Sequence, residues 1–490
     1  MNKIIYIVSI VVLLGTSSCE KWLDVRPDEE VLVDDALKDR KGFVTVLSGV
    51  YGSLASPQLY GRNLEYGLMD AMAGYWKIPT TNQYYELYKF DYKTVRSQDT
   101  LQAIWSGLYN GIRQCNLILD RVDEINGDPY YGLVKGEALG LRAFLHLEAF
   151  KLFGPVVKVK GLQTQSLPYY KAAVKVPQKF LSSSEFLQAV EADLQEARTY
   201  LESDPIISAG READGNGANV QIYNSLLDRR GVRMNYYAVL ALLARTSQWK
   251  GDMGEASVRA QDLIVKLGVS KAIRLMENNE LENNYINKDI HFSKENIFGL
   301  YVNNISSLSR PYFERGMGTN KTSLEPDYTY FLDEIYEYNT GSSLDLRLIL
   351  WTINTGYFGK YIIPSTVLNS KDDPKDHYYE VQLINLPEMY FMVAEDYLDK
   401  NLETSIEYIN TVRTARKLPN LVYTGSLTKD DVKEYLIDEV RREYIGEGYL
   451  FTFLKRLYNP IYRSSGNIAP SESNFTFPIP DDEMIYNTTN

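Results

Sequence analysis

Apolar residues recur three or four positions apart through most of this chain. Over residues 101–122 they fall at Ile104, Trp105, Leu108, Ile112, Cys115 and Leu119, one face of an amphipathic helix. Residues 135–153 are apolar around most of the helical circumference, the pattern of a helix enclosed on all sides, and Gly154-Pro155 ends the run. Residues 184–201 read as a helix with serine caps and Glu in its first turn. Residues 234–249 and 255–267 flank Gly251-Asp252 and read as helix, tight turn, helix. Residues 386–398, with Pro387 in the first turn, and 403–416 repeat that arrangement. Thr428 with Asp431 forms a capping box for residues 432–445, where Val432, Leu436 and Val440 make one stripe.

Paired helices of this length predict a mostly α protein. The expected fold is a tetratricopeptide-like α-α superhelix scaffold with long loops and few short strands. The stretches 54–98, 156–182, 204–230, 270–380 and 457–490 lack helical periodicity and hold Gly, Pro, Asn and Tyr. Loops this long inside a compact protein are usually functional. The chain therefore reads as a helical scaffold carrying a loop-built surface.

The N-terminus is an address. Met1-Asn2-Lys3 precedes an apolar run from Ile4 to Leu14, and Gly15-Thr16-Ser17-Ser18 leads to Cys19. A basic start, an apolar middle and a small-residue end make a secretory leader, here residues 1–18. The run is too short for a bilayer, which needs about 20 residues. Small residues before a Cys resemble a bacterial lipobox, so Cys19 is the expected lipid attachment site of the mature chain. Residues 19–490 are expected to form a single domain.

Composition removes several classes of function. The formal net charge is −12 and no long basic run occurs, against nucleic acid as a partner. With Cys19 acylated, Cys115 has no partner within the chain, and its apolar helical setting predicts a buried, inert thiol. The three histidines, His146, His291 and His377, show no metal-ligand spacing. His146 sits in the apolar 135–153 helix and reads as a core residue. His377 follows Asp372, Asp373 and Asp376 in what reads as a solvated turn, with a cation loop as the alternative. Gly215–Gly217 and Gly316–Gly318 read as turns, and no nucleophile elbow or phosphate loop is present. No catalytic residue, cofactor or metal site is predicted. Tyrosine is abundant, with 39 against 17 Phe and 5 Trp, and its half-apolar ring suits both cores and binding surfaces.

Several segments, in order, resemble the SusD/RagB family. They begin with Trp22-Leu23-Asp24 and Pro27, then Ile104-Trp105-Ser106-Gly107-Leu108-Tyr109 with Asn116. Gly136-Glu137-Ala138, Leu141-Arg142-Ala143 and Leu152-Phe153-Gly154-Pro155 follow, then Lys250-Gly251-Asp252. Glu388-Met389-Tyr390, Ala394-Glu395, Val412-Arg413, Arg441-Arg442-Glu443, Glu447-Gly448 and Phe477-Pro478-Ile479-Pro480 complete the series. The resemblance implies an outer-membrane lipoprotein facing the medium. It would bind an oligosaccharide, or in some members a peptide, without catalysis. It would then deliver the ligand to a TonB-dependent transporter of the SusC type.

A sugar stacks its C–H face on an aromatic ring and offers hydroxyls to polar side chains. The expected site is therefore an aromatic in a polar loop, off any helical stripe. Residues 74–85 form such a loop, and the resemblance also points there. Trp76 is the expected stacking platform, with Asn82 and Tyr84 in support. Tyr312 and Phe313, in a second aromatic and charged loop at 310–315, are further ligand candidates within a loop-rich insert at about 270–380. Trp105 and Trp249 lie on helices and read as core. A peptide-binding member of the family and a secreted glycoside hydrolase with paired carboxylates are the alternatives.

Overall fold

Side-chain caps decide where the predicted helices begin. The computed structural model describes residues 36–174, 176–211, 226–277, 280, 289–314, 322–337, 345–351, 358–363 and 376–487. The leader, Cys19, Asp372, Asp373 and the glycine pairs at 215–217 and 316–318 lie outside them. The main helices are α1 (Arg40–Leu54), α2 (Leu68–Ala73), α3 (Tyr85–Tyr88), α4 (Val95–Leu119), α5 (Tyr131–Phe153) and α6 (Ser183–Tyr200). They continue with α7 (Tyr236–Trp249), α8 (Met253–Ser270), α9 (Ile305–Phe313), α10 (Leu346–Trp351), α11 (Leu386–Tyr397), α12 (Leu402–Ala415), α13 (Lys429–Glu443) and α14 (Tyr449–Leu457).

Asn235, Asn385 and Asn401 each accept a hydrogen bond from the backbone N–H three residues on, opening α7, α11 and α12. Ser182–Glu185 and Thr428–Asp431 form complete capping boxes at α6 and α13. The Thr428 cap sits four residues before Val432, and that is why α13 starts earlier than its stripe alone indicates; α5 also starts earlier, at Tyr131, with no side-chain cap.

Neighbours in space follow the order of the chain. Helix α1 packs on α4, α4 on α5, α5 on α6, α6 on α7 and α7 on α8. The series continues from α8 to α11, α12 and α13. This succession of packed helices is the expected mostly helical, tetratricopeptide-like superhelix. It has one continuous hydrophobic core, from Leu37 to Phe477. Helix α5 runs through that core with both faces covered, as its near-continuous apolar sequence requires.

Six short strands among the described residues form three antiparallel pairs. β1 (Trp76–Lys77) pairs with β5 (Glu325–Pro326), β2 (Gln165–Pro168) with β3 (Phe180–Ser182), and β4 (Asn296–Tyr301) with β6 (Glu380–Asn385). The 270–380 segment is less loop-like than its sequence predicts. Its residues 305–313 form α9, with Pro311 inside the helix. Pro311 supplies no N–H to the Ser307 carbonyl, so this helix lacks one of its intrahelical bonds.

Buried ion pairs bind the helices to one another. Arg142 of α5 grips Asp193 of α6 at 2.6 and 2.8 Å. Arg245 of α7 grips Glu388 of α11 at 2.8 and 2.6 Å. Arg347 of α10 reaches Asp345, Glu439 and Glu443 at 2.7–2.8 Å, and Arg413 of α12 meets Glu439 at 2.9 Å. Burial alone would raise the Glu439 pKa, but Arg347, Arg442 and Arg413 bring it down to about 2.

His146 is a core residue, as its place in α5 predicts. Its Nδ1 lies 2.9 Å from the Arg142 carbonyl, and the Tyr170 N–H donates to Nε2 at 3.1 Å. This fixes the tautomer with hydrogen on Nδ1. Burial depresses its pKa from 6.5 to about 3. The unfolded chain thus holds this proton at higher pH than the native one, and His146 reduces stability as pH falls from 6.5 towards 3. The His146 ring resonances are expected to stay neutral over roughly pH 4–8. A titration with a midpoint near the ordinary histidine value would show that the ring is not sealed.

Candidate functional site

The residues singled out in the sequence meet at one place, but most of them face inward. Trp76 in β1 is only 3% exposed, and its Nε1 donates to the Tyr66 carbonyl at 2.8 Å. Phe313 and Phe358 lie against its ring, each with centroids 5.3 Å away. This corrects the expectation of a free stacking face. Asn82 is fully buried, donating to Ser323 O at 2.9 Å and accepting from the Tyr84 N–H at 2.9 Å. The Tyr84 hydroxyl donates to Asn63 at 2.8 Å. The Tyr312 hydroxyl accepts from Arg62 at 2.7 Å and Gln83 at 3.0 Å. Phe313 packs on Tyr66 at 5.3 Å. These five side chains are one packed aromatic and polar wall, and their hydrogen-bonding groups are already satisfied inside it. The physical reason is local: the backbone from Tyr66 to Trp76 is buried throughout, so an aromatic there meets protein before solvent.

The outer side of that wall is an open cleft of about 440 Å³. Gly74 to Pro79 and Tyr88 line it, with Ser323, Glu325 and Asp327 on one side and Arg463, Ser464 and Ser465 on the other. Gly74 makes the arrangement possible. It adopts φ 93° at the end of α2, and a Cβ there would stand 2.2 Å from the Tyr462 carbonyl. Only glycine lets the 462–465 segment lie against the loop. On the other side, the β1–β5 pairing sets Lys77 opposite Glu325. Lys77 also approaches Asp327 at 3.5 Å across the rim.

Arg463 forms part of the floor. Its guanidinium lies 3.7 Å from the Tyr88 ring centroid and 5.0 Å from that of Phe90. Its Nη2 donates to the Tyr88 carbonyl at 2.9 Å. Burial draws its pKa down, and Tyr88 offsets part of that shift. Tyr88 is half-buried, so this cleft keeps an aromatic surface that Trp76 does not supply.

A larger cleft of about 510 Å³ lies elsewhere, where α7, α11, α13 and α14 end or begin. Many of its charges neutralise one another: Arg456 grips Glu395 with two 2.6 Å bonds, and Lys429 pairs with Asp399. The smaller cleft, which combines a half-buried aromatic, exposed hydroxyls and an arginine floor, is the candidate site. Sequence reasoning missed Tyr88, Arg463 and the β5 residues. The polar Arg463-Ser464-Ser465-Gly466 turn was the available signal, but nothing local tied it to residues 74–79.

A family model named SusD-like and described as "Starch-binding associating with outer membrane" matches residues 21–206. A SusD-like protein of Formosa agariphila is 23% identical and aligns over 91% of this chain and 90% of its own. Over residues 21–206 this chain is thus similar to the SusD-like family. Its fold is that of the SusD-like carbohydrate binding protein from Bacteroides vulgatus, with a TM-score of 0.64 at 19% identity, covering 91% of this chain and 96% of that one. A SusD superfamily protein from Bacteroides thetaiotaomicron matches at a TM-score of 0.66 and 19% identity, covering 93% and 98%. No helix among the described residues of this SusD-like chain is long and apolar enough to cross a membrane.

Enclosure of Trp76 predicts a structural phenotype. Trp76→Ala is expected to cost about 3–5 kcal/mol of stability, because a buried indole is lost and its partners are left around a cavity. Denaturant unfolding checks this. A loss under about 1 kcal/mol would mean that the ring is not packed as described.

Proposed function

We propose that this chain is a non-catalytic surface lipoprotein that captures an oligosaccharide and passes it to a TonB-dependent transporter of the SusC type. It is held at the outer membrane by lipid on Cys19, and residues 19–490 act as one unit facing the medium. The observation that carries the reading is the open cleft beside residues 74–79. A half-buried tyrosine offers an apolar face there, and exposed serines, a lysine and carboxylates stand where sugar hydroxyls need partners. The matched family's description as starch-binding, and the B. vulgatus relative's as carbohydrate-binding, support a glycan as cargo. The family's association with the outer membrane agrees with a leader that ends at Cys19.

The charged rim also favours a second reading, capture of a peptide whose termini meet Arg463 and the Glu325–Asp327 side. Calorimetry of the chain without its leader, against oligosaccharides and peptides, separates the two. Saturable binding of a glycan without its breakdown is the expected result. Binding of peptides alone, or hydrolysis of the glycan, would overturn the proposal. In cells, Cys19→Ala is expected to abolish incorporation of labelled fatty acid. Persistent labelling would move the anchor elsewhere.

A further inference from the structure

We propose that the cleft selects an acidic oligosaccharide, holding a carboxylate or sulfate group of the sugar against the guanidinium of Arg463. This rests on the glycan-capture reading above and narrows its ligand class.

The argument begins with charge accounting. Arg463 is only 6% exposed. Among the described residues, every other buried arginine forms an ion pair with a carboxylate: Arg142, Arg211, Arg230, Arg233, Arg245, Arg347, Arg413, Arg416, Arg441 and Arg442. Arg463 has none. Its Nη2 serves the Tyr88 carbonyl at 2.9 Å and, more distantly, the Met72 carbonyl at 3.5 Å. Its Nε has no hydrogen-bond partner. Two ring faces offset part of the desolvation of the cation. A buried guanidinium without a counter-charge is nonetheless unfavourable, and among the described buried arginines Arg463 is the one left in that state.

The counter-charge has room to come from outside. Arg463 lines the open cleft and is not sealed behind it. A planar guanidinium matches the two oxygens of a carboxylate or sulfate, and the charge-assisted bond is the strong kind. The neighbouring Ser464 and Ser465 are exposed and stand beside that point for the ligand's hydroxyls. The acidic groups of the cleft are engaged with other side chains: Lys77 approaches Asp327 at 3.5 Å, and Ser323 donates to Glu325 at 3.2 Å. A purely structural Arg463 would only tie the ends of α2 and α3 together, and that role needs no preference for a charged ligand.

The test is calorimetry on the chain without its leader. The probes are an oligomer of galacturonic acid and a sulfated galactan oligomer, each compared with its carboxyl-reduced or desulfated counterpart. The expected result is that one acidic oligomer binds about tenfold or more tighter than its neutral counterpart, with the stronger of the two naming the anion. In Arg463→Gln that ratio collapses towards one, and in Arg463→Lys it falls part of the way. The ratio is the readout, so a general loss of affinity does not imitate it. If the variants fail to fold, the wild-type ratio must still shrink as salt is raised. Equal binding of acidic and neutral oligomers, or a ratio unchanged in Arg463→Gln, overturns this proposal and leaves glycan capture standing. Binding of no glycan, or only of peptides through a free terminal carboxylate, overturns both.

Discussion

Buried guanidinium–carboxylate pairing is the constraint on which this architecture depends. A superhelix of packed helices has many near-equivalent registers, because an apolar stripe slides against another with little penalty. Arg142–Asp193, Arg245–Glu388 and the group of Arg347, Arg413 and Arg416 around Glu439, Glu443 and Glu295 do not slide. Each sits where shifting a helix by one turn would leave a bare charge in the core, at a cost of several kcal/mol. Such pairs add little net stability over a well-packed apolar core. What they give is a single alignment, fixed where α10, α12 and α13 meet.

That alignment is what makes the cleft. The turn between α13 and α14 donates two backbone N–H groups, from Gly446 and Gly448, to the buried carboxylate of Asp70 in α2 at 2.6 and 3.0 Å. Gly448 passes so close to Leu64 that a Cβ would stand 1.9 Å from its carbonyl oxygen. The segment that leads into residues 74–79 is thereby clamped to the far end of the chain. The Tyr75 hydroxyl adds a bond to Arg441 O at 2.8 Å. The cleft's loop is held from below by the same helix, α13, that organises the ion pairs.

The helices were legible because their signals are local. Caps and stripes three or four residues apart placed α5 to α8 and α11 to α13 within four residues, while α4 begins at Val95, six residues before the 101–122 pattern. Helix α1 was missed because Gly42, Gly49 and Gly52 dilute its pattern, and the nine-residue α14 because it follows a glycine turn. Helix α9 read as a loop because of Pro311. The site was legible in neighbourhood only. An aromatic in a Gly- and Pro-bearing loop reads as exposed if loops are taken to be surface. Trp76 is enclosed by Phe313 and Phe358, which come from hundreds of residues away. The two-residue strands β1 and β5 carry no periodicity, so nothing local tells that Glu325 faces Lys77. Arg463 has the same character: its meaning lies in a partner it lacks, and only the folded neighbourhood reveals that.

The division between floor and rim bears on how such a chain diversifies. Gly74, Trp76 and Asn82 are enmeshed in backbone contacts or buried bonds, and replacing any of them disturbs the scaffold. Lys77, Pro79, Glu325, Ser464 and Ser465 are exposed at the mouth, where substitutions are typically worth less than about half a kcal/mol to the fold. Mutation can therefore rewrite the mouth residue by residue while the helices keep their alignment. A scaffold built this way can keep its shape at about one-fifth sequence identity while the chemistry of the mouth drifts.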